Sequence, residues 1–142
     1  MPKERPHVTK GQAIAFKPDY LDARVRLGIA LEKKGDLDGG EAEVRDVLRL
    51  KPDSESAHST LCGLLIDRGK SEQRISYCRE AIRLDPDSAA SHFVLAVALE
   101  QKGDFKAALT EYRAVDTLAT TLPTLRDAAR KKSEELSAKL TP

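Results

Sequence analysis

The stretch LRLKPDSES at residues 48–56 is nearly repeated as IRLDPDSAA at residues 82–90. In both, an apolar–basic–apolar run leads into a Pro-Asp-Ser turn, and the two prolines, Pro52 and Pro86, lie 34 residues apart. Pro18 stands a further 34 residues upstream. Because proline cannot continue a helix, each of these prolines predicts the end of one. The chain therefore repeats one structural unit at a fixed interval.

A second phrase recurs at the same interval, as ALEKKGDL, LLIDRGKS and ALEQKGDF, and it contains Gly35, Gly69 and Gly103. Glycine after an apolar-periodic run ends a helix, because it takes the left-handed conformation without strain. Asp36 and Asp104 follow directly and can cap the next helix. Each unit is therefore predicted to be a helix–turn–helix. Caps for the helices after the prolines are expected from Asp19, Asp53, Ser54, Asp87 and Ser88.

Leucine pairs at i, i+4 spacing predict one buried face on the first helix of each unit. These pairs are Leu27 with Leu31, Leu61 with Leu65, and Leu95 with Leu99. Small residues predict close crossings between the two helices of a unit: Gly28, Cys62 and Ala96 in the first helix, Gly40 and Ala108 in the second. The middle unit has Arg74 at the second-helix position. A long cation there must reach out to water or push the helices apart, and we expect a tolerated local splay rather than a binding role.

The pattern resembles the tetratricopeptide repeat family, whose unit is a 34-residue helical hairpin with apolar, small and proline positions where this chain has them. The resemblance implies an all-α fold, a right-handed superhelical stack of antiparallel helical hairpins. It places three units at residues 21–54, 55–88 and 89–121. Residues 1–20 are interpreted as the tail helix of a preceding partial repeat. Residues 122–142 are interpreted as a polar C-terminal capping helix, which covers the face that inner repeats bury. The alternative, the first helix of a fourth repeat, is less favoured because the apolar stripe is thin.

The composition excludes several classes of function. The 142 residues include 24 basic and 23 acidic ones, and this balance argues against a nucleic-acid surface. The first residues lack the apolar run of a secretory signal, and no stretch is long enough to span a membrane. Two cysteines are too few for a disulfide framework. We therefore expect a cytoplasmic protein with neither nucleic-acid nor membrane partners, although a fragment that had lost a leader would look the same.

The strongest candidates for chemistry are His58, Cys62 and Cys78, since His58 and Cys62 share one face of a helix. Zinc needs three or four such ligands, however, and both cysteines fall where the family buries small or apolar residues. His92 repeats His58 one unit later, which indicates a shared packing role. We therefore expect buried free thiols, with a Cys62–Cys78 disulfide as the less favoured alternative. The chain has no glycine-rich phosphate loop and no activated Ser/His/Asp set, so neither an active site nor a cofactor is expected.

The resemblance also implies a binding face, because the inner surface of such stacks is lined by the first helix of each unit. Large apolar side chains on a surface indicate contact, although packing of Val25 or Val97 between repeats is nearly as well supported. Arg26 is the only basic residue near this face, so the clamp with which other members hold acidic tails has no counterpart. The positions carried over are Asp22, Val25, Ile29, Glu32, Ser56, Ser59, Gly63, Ile66, Ala90, Phe93, Val97 and Glu100.

These residues predict a protein-interaction module of scaffold or adaptor type, whose concave groove binds an apolar or amphipathic peptide or helix of a protein partner. One alternative is an architectural or self-association segment of a larger enzyme or assembly protein. A small catalytic or metal-binding protein is the other alternative, for which the residues give the least support.

Overall fold

The described part of the chain consists of seven α-helices that pair into antiparallel hairpins. The computed structural model describes residues 17–65 and 69–142, and the expected helix of a preceding repeat falls almost wholly on residues 1–16, outside that part. The helices are α1 (Pro18–Lys33), α2 (Leu37–Leu50), α3 (Glu55–Leu64), α4 (Ser71–Leu84), α5 (Ala89–Lys102), α6 (Phe105–Leu118) and α7 (Pro123–Leu140).

The turn inside each hairpin is made by a glycine in the left-handed region. Gly35 and Gly103 have φ of 89° and Gly69 has φ of 65°, as the sequence predicted. Asp36 and Asp104 then cap α2 and α6 by accepting hydrogen bonds from backbone N–H groups three residues on.

The middle hairpin and the start of α1 depart from the expected caps. Lys70 precedes α4 and makes no side-chain cap bond, because an ammonium group has no lone pair to offer an N–H. The expected cap Asp19 is wrong: α1 starts at Pro18, with Lys17 as its N-cap residue, so Asp19 lies in the first turn. Ser54 and Ser88 cap α3 and α5, as expected.

One histidine in each of the second and third hairpins attaches that hairpin to the turn that precedes it. The Nε2 atoms of His58 and His92 both lie 2.8 Å from a proline carbonyl oxygen, that of Pro52 and that of Pro86 respectively. A carbonyl only accepts hydrogen bonds, so both Nε2 atoms donate. The predicted shared packing role of the two histidines is confirmed.

Two clusters of buried apolar side chains form the core among the described residues. The N-terminal cluster joins α1, α2 and α3, and the C-terminal cluster joins α3 to α7. Tyr77 of α4 packs against both, so the hairpins share one continuous interior.

Leu27 differs from its counterparts in the later hairpins. It is 46% exposed, whereas Leu61 and Leu95 are 0% and 3% exposed. Leu61 packs in the same cluster as Val47 of the preceding hairpin. Among the described residues, no hairpin precedes α1. The predicted burial of Leu27 is therefore not observed.

Arg74 is buried at the crossing of α3 and α4. Its side chain is 1% exposed, its Nε donates to the carbonyl oxygen of Cys62 over 3.0 Å, and its Nη1 donates to the side chain of Gln101 over 3.0 Å. Of the two alternatives that the sequence left for Arg74, reaching out to water is therefore not what the structure has. Hydrogen bonds offset the cost of removing the guanidinium group from water.

Cys62 and Cys78 form a disulfide between α3 and α4. Both residues are buried, as expected, but the expectation of free thiols is wrong. The two packing positions face each other across the hairpin with their Cα atoms 4.8 Å apart, which lies within disulfide reach. Positions suited to close packing of two small residues are thus also suited to a covalent bond.

Candidate functional site

The first helices of the three hairpins form one face of the molecule. Helix α1 contacts α3, and α3 contacts α5, so the three lie side by side. Open depressions follow this row of helices: between α1 and α3, between α3 and α5, and between α5 and α7. We call this face the groove.

Most of the predicted binding positions keep some exposure to solvent. Asp22 and Ala90 are exposed, and the remaining described ones are half-buried: Ile29, Glu32, Ser56, Ser59, Gly63, Phe93, Val97 and Glu100. Ile66 lies outside the described residues.

Val25 is the exception among the predicted positions, because it belongs to the core. It is 5% exposed and packs in the N-terminal cluster with Leu21, Val44 and Ala57. Helix α1 packs against α3 near Val25, so this side chain fills the space between the first and the second hairpin. Packing between repeats, the alternative weighed for Val25, is what the structure has.

Gly63 leaves the middle of the groove open. Apart from its chain neighbours and the backbone of its own helix, a Cβ atom built on this residue would have no heavy atom within 4 Å, and φ is not positive there. The neighbouring depression is lined by small side chains such as Ser59, Ala90 and Val94. The groove therefore has room for side chains of a ligand at its centre.

The ring of Tyr112 packs against the ring of Phe93 and orients it. The two rings meet edge to face, with centroids 5.5 Å apart and planes at 72°. The Tyr112 hydroxyl donates to Glu100 Oε2 over 2.8 Å, and burial raises the pKa of Tyr112 well above its usual value, with Glu100 adding to the effect. This arrangement fixes the orientation of an aromatic ring that is still partly open to the groove.

The C-terminal end of the groove contains residues that the sequence reasoning missed. A depression of about 420 Å³ is walled by Val97 and Phe105 and by two lysines of α7, Lys132 and Lys139. Lys132 Nζ lies 3.1 Å from Glu100 Oε1, and Lys139 Nζ lies over the Phe105 ring, 5.4 Å from its centroid. Their seven-residue spacing places both lysines on one face of α7, which was the available signal.

The opposite end of the groove carries carboxylates. The depression between α1 and α3 is lined by Asp22, Lys51 and Glu55, besides two serines and a leucine. Burial raises the pKa of Glu55, and nearby Asp85 raises it further, while Ser59 and His58 act in the opposite direction.

Two further properties bear on function. Within residues 17–65 and 69–142, no group of three or more His, Cys, Asp or Glu side chains is placed to hold a metal ion. In the same part of the chain, no helix combines the length and the apolar character that crossing a membrane requires.

Comparison with known proteins agrees with the arrangement of helices. A tetratricopeptide repeat family model matches residues 64–123, which run from the end of α3 to the start of α7. Those 60 residues are similar to tetratricopeptide repeats. The predicted fold class, an all-α stack of antiparallel helical hairpins, is thereby confirmed. No curated protein sequence matches the chain.

Several solved structures superpose on most of this chain. PcrH from Pseudomonas aeruginosa, in complex with the chaperone-binding region of PopD, is 20% identical over 88% of this chain and 96% of PcrH, with a TM-score of 0.82. The type III secretion chaperone SycD of Yersinia enterocolitica, bound to a peptide of the translocator YopD, is 16% identical over 88% of this chain and 98% of SycD, with a TM-score of 0.79.

A third match is the TPR2AB domain of yeast Sti1 in its pHSP90 complex. It is 18% identical over 90% of this chain and 51% of the Sti1 chain, with a TM-score of 0.75. At such identities the likeness of all three establishes the fold.

Proposed function

We propose that this tetratricopeptide-repeat chain is a protein-interaction module, which binds an apolar or amphipathic segment of a partner protein in its groove. The observation that carries the proposal is the half-buried Phe93, which Tyr112 orients and which has the half-buried Val97 one turn further along α5; Gly63 leaves open space on the neighbouring helix α3. Aromatic side chains held rigid in a concave surface are the usual anchors of binding energy.

The structural relatives support the same role. PcrH and SycD are complexed with segments of the translocators PopD and YopD, and the Sti1 domain is in complex with pHSP90. A binding role is also consistent with the middle of the groove, whose lining residues are small, polar or apolar and carry no charge.

Architectural use of the stack, as a spacer or self-association segment of a larger protein, is the second candidate. The exposed Leu27 and Tyr20 on α1 favour it, because another hairpin or a second copy of the chain could cover them. This role requires no occupant in the groove, so the two candidates make different predictions for groove variants.

The test compares Phe93→Ala with Arg26→Ala in one binding titration, against a synthetic amphipathic helix with leucine and phenylalanine along one face. Arg26 is the control, because it is an exposed cation of α1 and is not one of the predicted groove positions. We expect Phe93→Ala to weaken binding by about 2 kcal/mol or more, as for a central hot spot, and Arg26→Ala to change little.

Salt separates the apolar mechanism from a charge clamp. Apolar burial should survive an increase in ionic strength, whereas exposed charge pairs are screened within about 10 Å at 0.1 M salt. If Arg26→Ala and salt both abolished binding while Phe93→Ala had no effect, the proposal would be wrong. Melting curves of both variants show whether a loss of binding reflects a loss of folding.

The disulfide bears on where such a module would work. Disulfides persist in oxidising compartments and are rare in the reducing cytosol. The cytoplasmic location expected from the sequence stays a prediction, and the redox state of Cys62 and Cys78 in the cell is the measurement that tests it.

A further inference from the structure

We propose that the groove orients its ligand by charge: the acidic end of the bound segment lies against α7, at Lys132 and Lys139, and its basic end lies against α1 and α3, at Asp22 and Glu55. This inference rests on the proposed peptide-binding function and adds the orientation of the bound segment in the groove.

The residues that line the depression at the α7 end carry one net positive charge, from Lys132 and Lys139 against Glu100. Among the residues that line its depression, Glu100 is paired with Lys132, and Glu135, outside the depression, lies 4.0 Å from the same lysine. Lys139 is exposed and rests over the ring of Phe105. A carboxylate that reached this depression would meet the Lys139 ammonium group, while its methylene groups packed on Phe105.

The α1 end has the opposite excess. Asp22 and Glu55 line the depression there with a single cation, Lys51. Asp85 is close enough to Glu55 to raise its pKa, which adds to the negative potential on this side. A lysine or arginine side chain of a ligand would therefore be favoured at this end and disfavoured at α7.

The middle of the groove separates the two charged ends. The depression between α3 and α5 is lined by Ser59, Thr60, Cys62, Ser88, Ala90, Ser91 and Val94, none of which is charged. A ligand of matching chemistry has an apolar or small centre, acidic residues at one end and basic residues at the other. Such end charges set direction and association rate more than affinity.

The experiment uses the full chain and a synthetic amphipathic peptide with an apolar centre, two glutamates at one end and two lysines at the other. A photo-crosslinking residue is placed next to the glutamates in one version and next to the lysines in a second. After irradiation, mass spectrometry identifies the labelled helix. We expect the label beside the glutamates on α7 and the label beside the lysines on α1 or α3.

Charge reversals with matched controls test whether the named residues cause the preference. Lys139→Glu is compared with Lys131→Glu, an exposed lysine about 80° away from Lys139 around α7 that does not line the depression. Asp22→Lys is compared with Asp19→Lys, an exposed acid of α1 that does not line the depression. At low ionic strength Lys139→Glu and Asp22→Lys should each weaken binding about fivefold, and the controls should change it less than twofold.

The outcomes distinguish the two proposals. Suppose that the peptide binds and that Phe93→Ala weakens its binding, but that each label is found equally at both ends of the groove. The proposed orientation is then overturned, while the proposed binding function stands. Equal effects of Lys139→Glu and Lys131→Glu would also overturn the orientation. If no version of the peptide binds, both the function and the orientation fail. In the double variant Lys139→Glu with Asp22→Lys, the label positions should exchange.

Discussion

Arg74 of α4 donates a hydrogen bond to the carbonyl oxygen of Cys62 in α3, over 3.0 Å. The first hairpin has glycines at the matching positions, and a Cβ atom on Gly40 would lie 2.6 Å from the carbonyl oxygen of Gly28. The middle hairpin therefore replaces close backbone contact by a hydrogen bond to Cys62 and a disulfide from the same residue. The first two hairpins are thus held together in different ways.

The two neighbouring glycines of α2 should respond differently to alanine. Gly40→Ala places a methyl group against the backbone of α1, which cannot move aside without separating the helices, so we expect a loss of about 1–3 kcal/mol. The methyl group of Gly39→Ala would meet only the flexible side chain of Asp36. In the third hairpin Ala107 already occupies the equivalent position and donates its N–H to the cap Asp104. Gly39→Ala should therefore cost less stability than Gly40→Ala. Urea unfolding of both variants checks this. A Gly40→Ala protein as stable as the wild type would contradict the close contact.

Reduction should destabilise the protein. The disulfide joins residues 16 apart in sequence, and closing a loop of that size stabilises by about 3 kcal/mol in the chain-entropy model. A thiol reductant should therefore lower the melting temperature, and a chelator should not. The control is the double variant Cys62→Ala with Cys78→Ala. Its melting temperature should be lower than that of the oxidised wild type and should not change when reductant is added. Thiol titration that found two free thiols in the oxidised protein would refute this prediction.

Acid should remove part of the stability that α1 and α2 share. The hydrogen bond from Arg24 lowers the pKa of Asp46 below its usual value. A carboxyl whose folded-state pKa is depressed stabilises the fold above its unfolded-state pKa, and this contribution is lost as pH falls through the folded-state pKa. Asp46→Asn should cost about 0.2–1 kcal/mol at neutral pH, as for exposed ion pairs.

The pH dependence of that difference is the measurement. The stabilities of wild type and Asp46→Asn should converge as the solution is acidified below the pKa of Asp46. High salt at neutral pH should narrow the same gap. A gap of constant size from neutral to acid pH would show that the Arg24 interaction is not its source.

Gly63 offers a way to close the groove without disturbing the core. Gly63→Ala should raise the free energy of unfolding by roughly 0.5–1 kcal/mol, because alanine is the better helix former and the site has space. Gly63→Trp should keep the fold but occupy the ligand's place, and so reduce affinity for the amphipathic peptide at least tenfold. Retained affinity in a folded Gly63→Trp protein would move the ligand away from this face.

The fold could be read from the sequence because its signals are local. Pro52, Gly35 and Ser54 act through their own backbone geometry or through N–H groups a few residues away, so no knowledge of the rest of the chain was needed. Val25 could not be placed in this way, because its burial depends on how closely α1 lies against α3. Helical period alone gives a side chain's direction and not the distance to the next hairpin.

The site was less predictable than the fold, for the same reason. Lys132 and Lys139 belong to a helix outside the repeats, and only the packing of α7 against α6 brings them to the groove beside Val97. The disulfide depends on a distance across the hairpin. Arg74 looked like a misfit at a small-residue position, since its hydrogen-bond acceptors are a backbone carbonyl and a side chain of the next hairpin.

The disulfide also fixes how the chain would respond to mechanical tension. A force applied to the two ends would pass through the Cys62–Cys78 bond, so the 16-residue span between these cysteines would stay unextended while the rest of the chain lengthened. Fully stretched, such a span would add about 50 Å. The oxidised chain should therefore reach a contour length shorter by that amount in an optical trap, and a reductant should release the missing length in a single step.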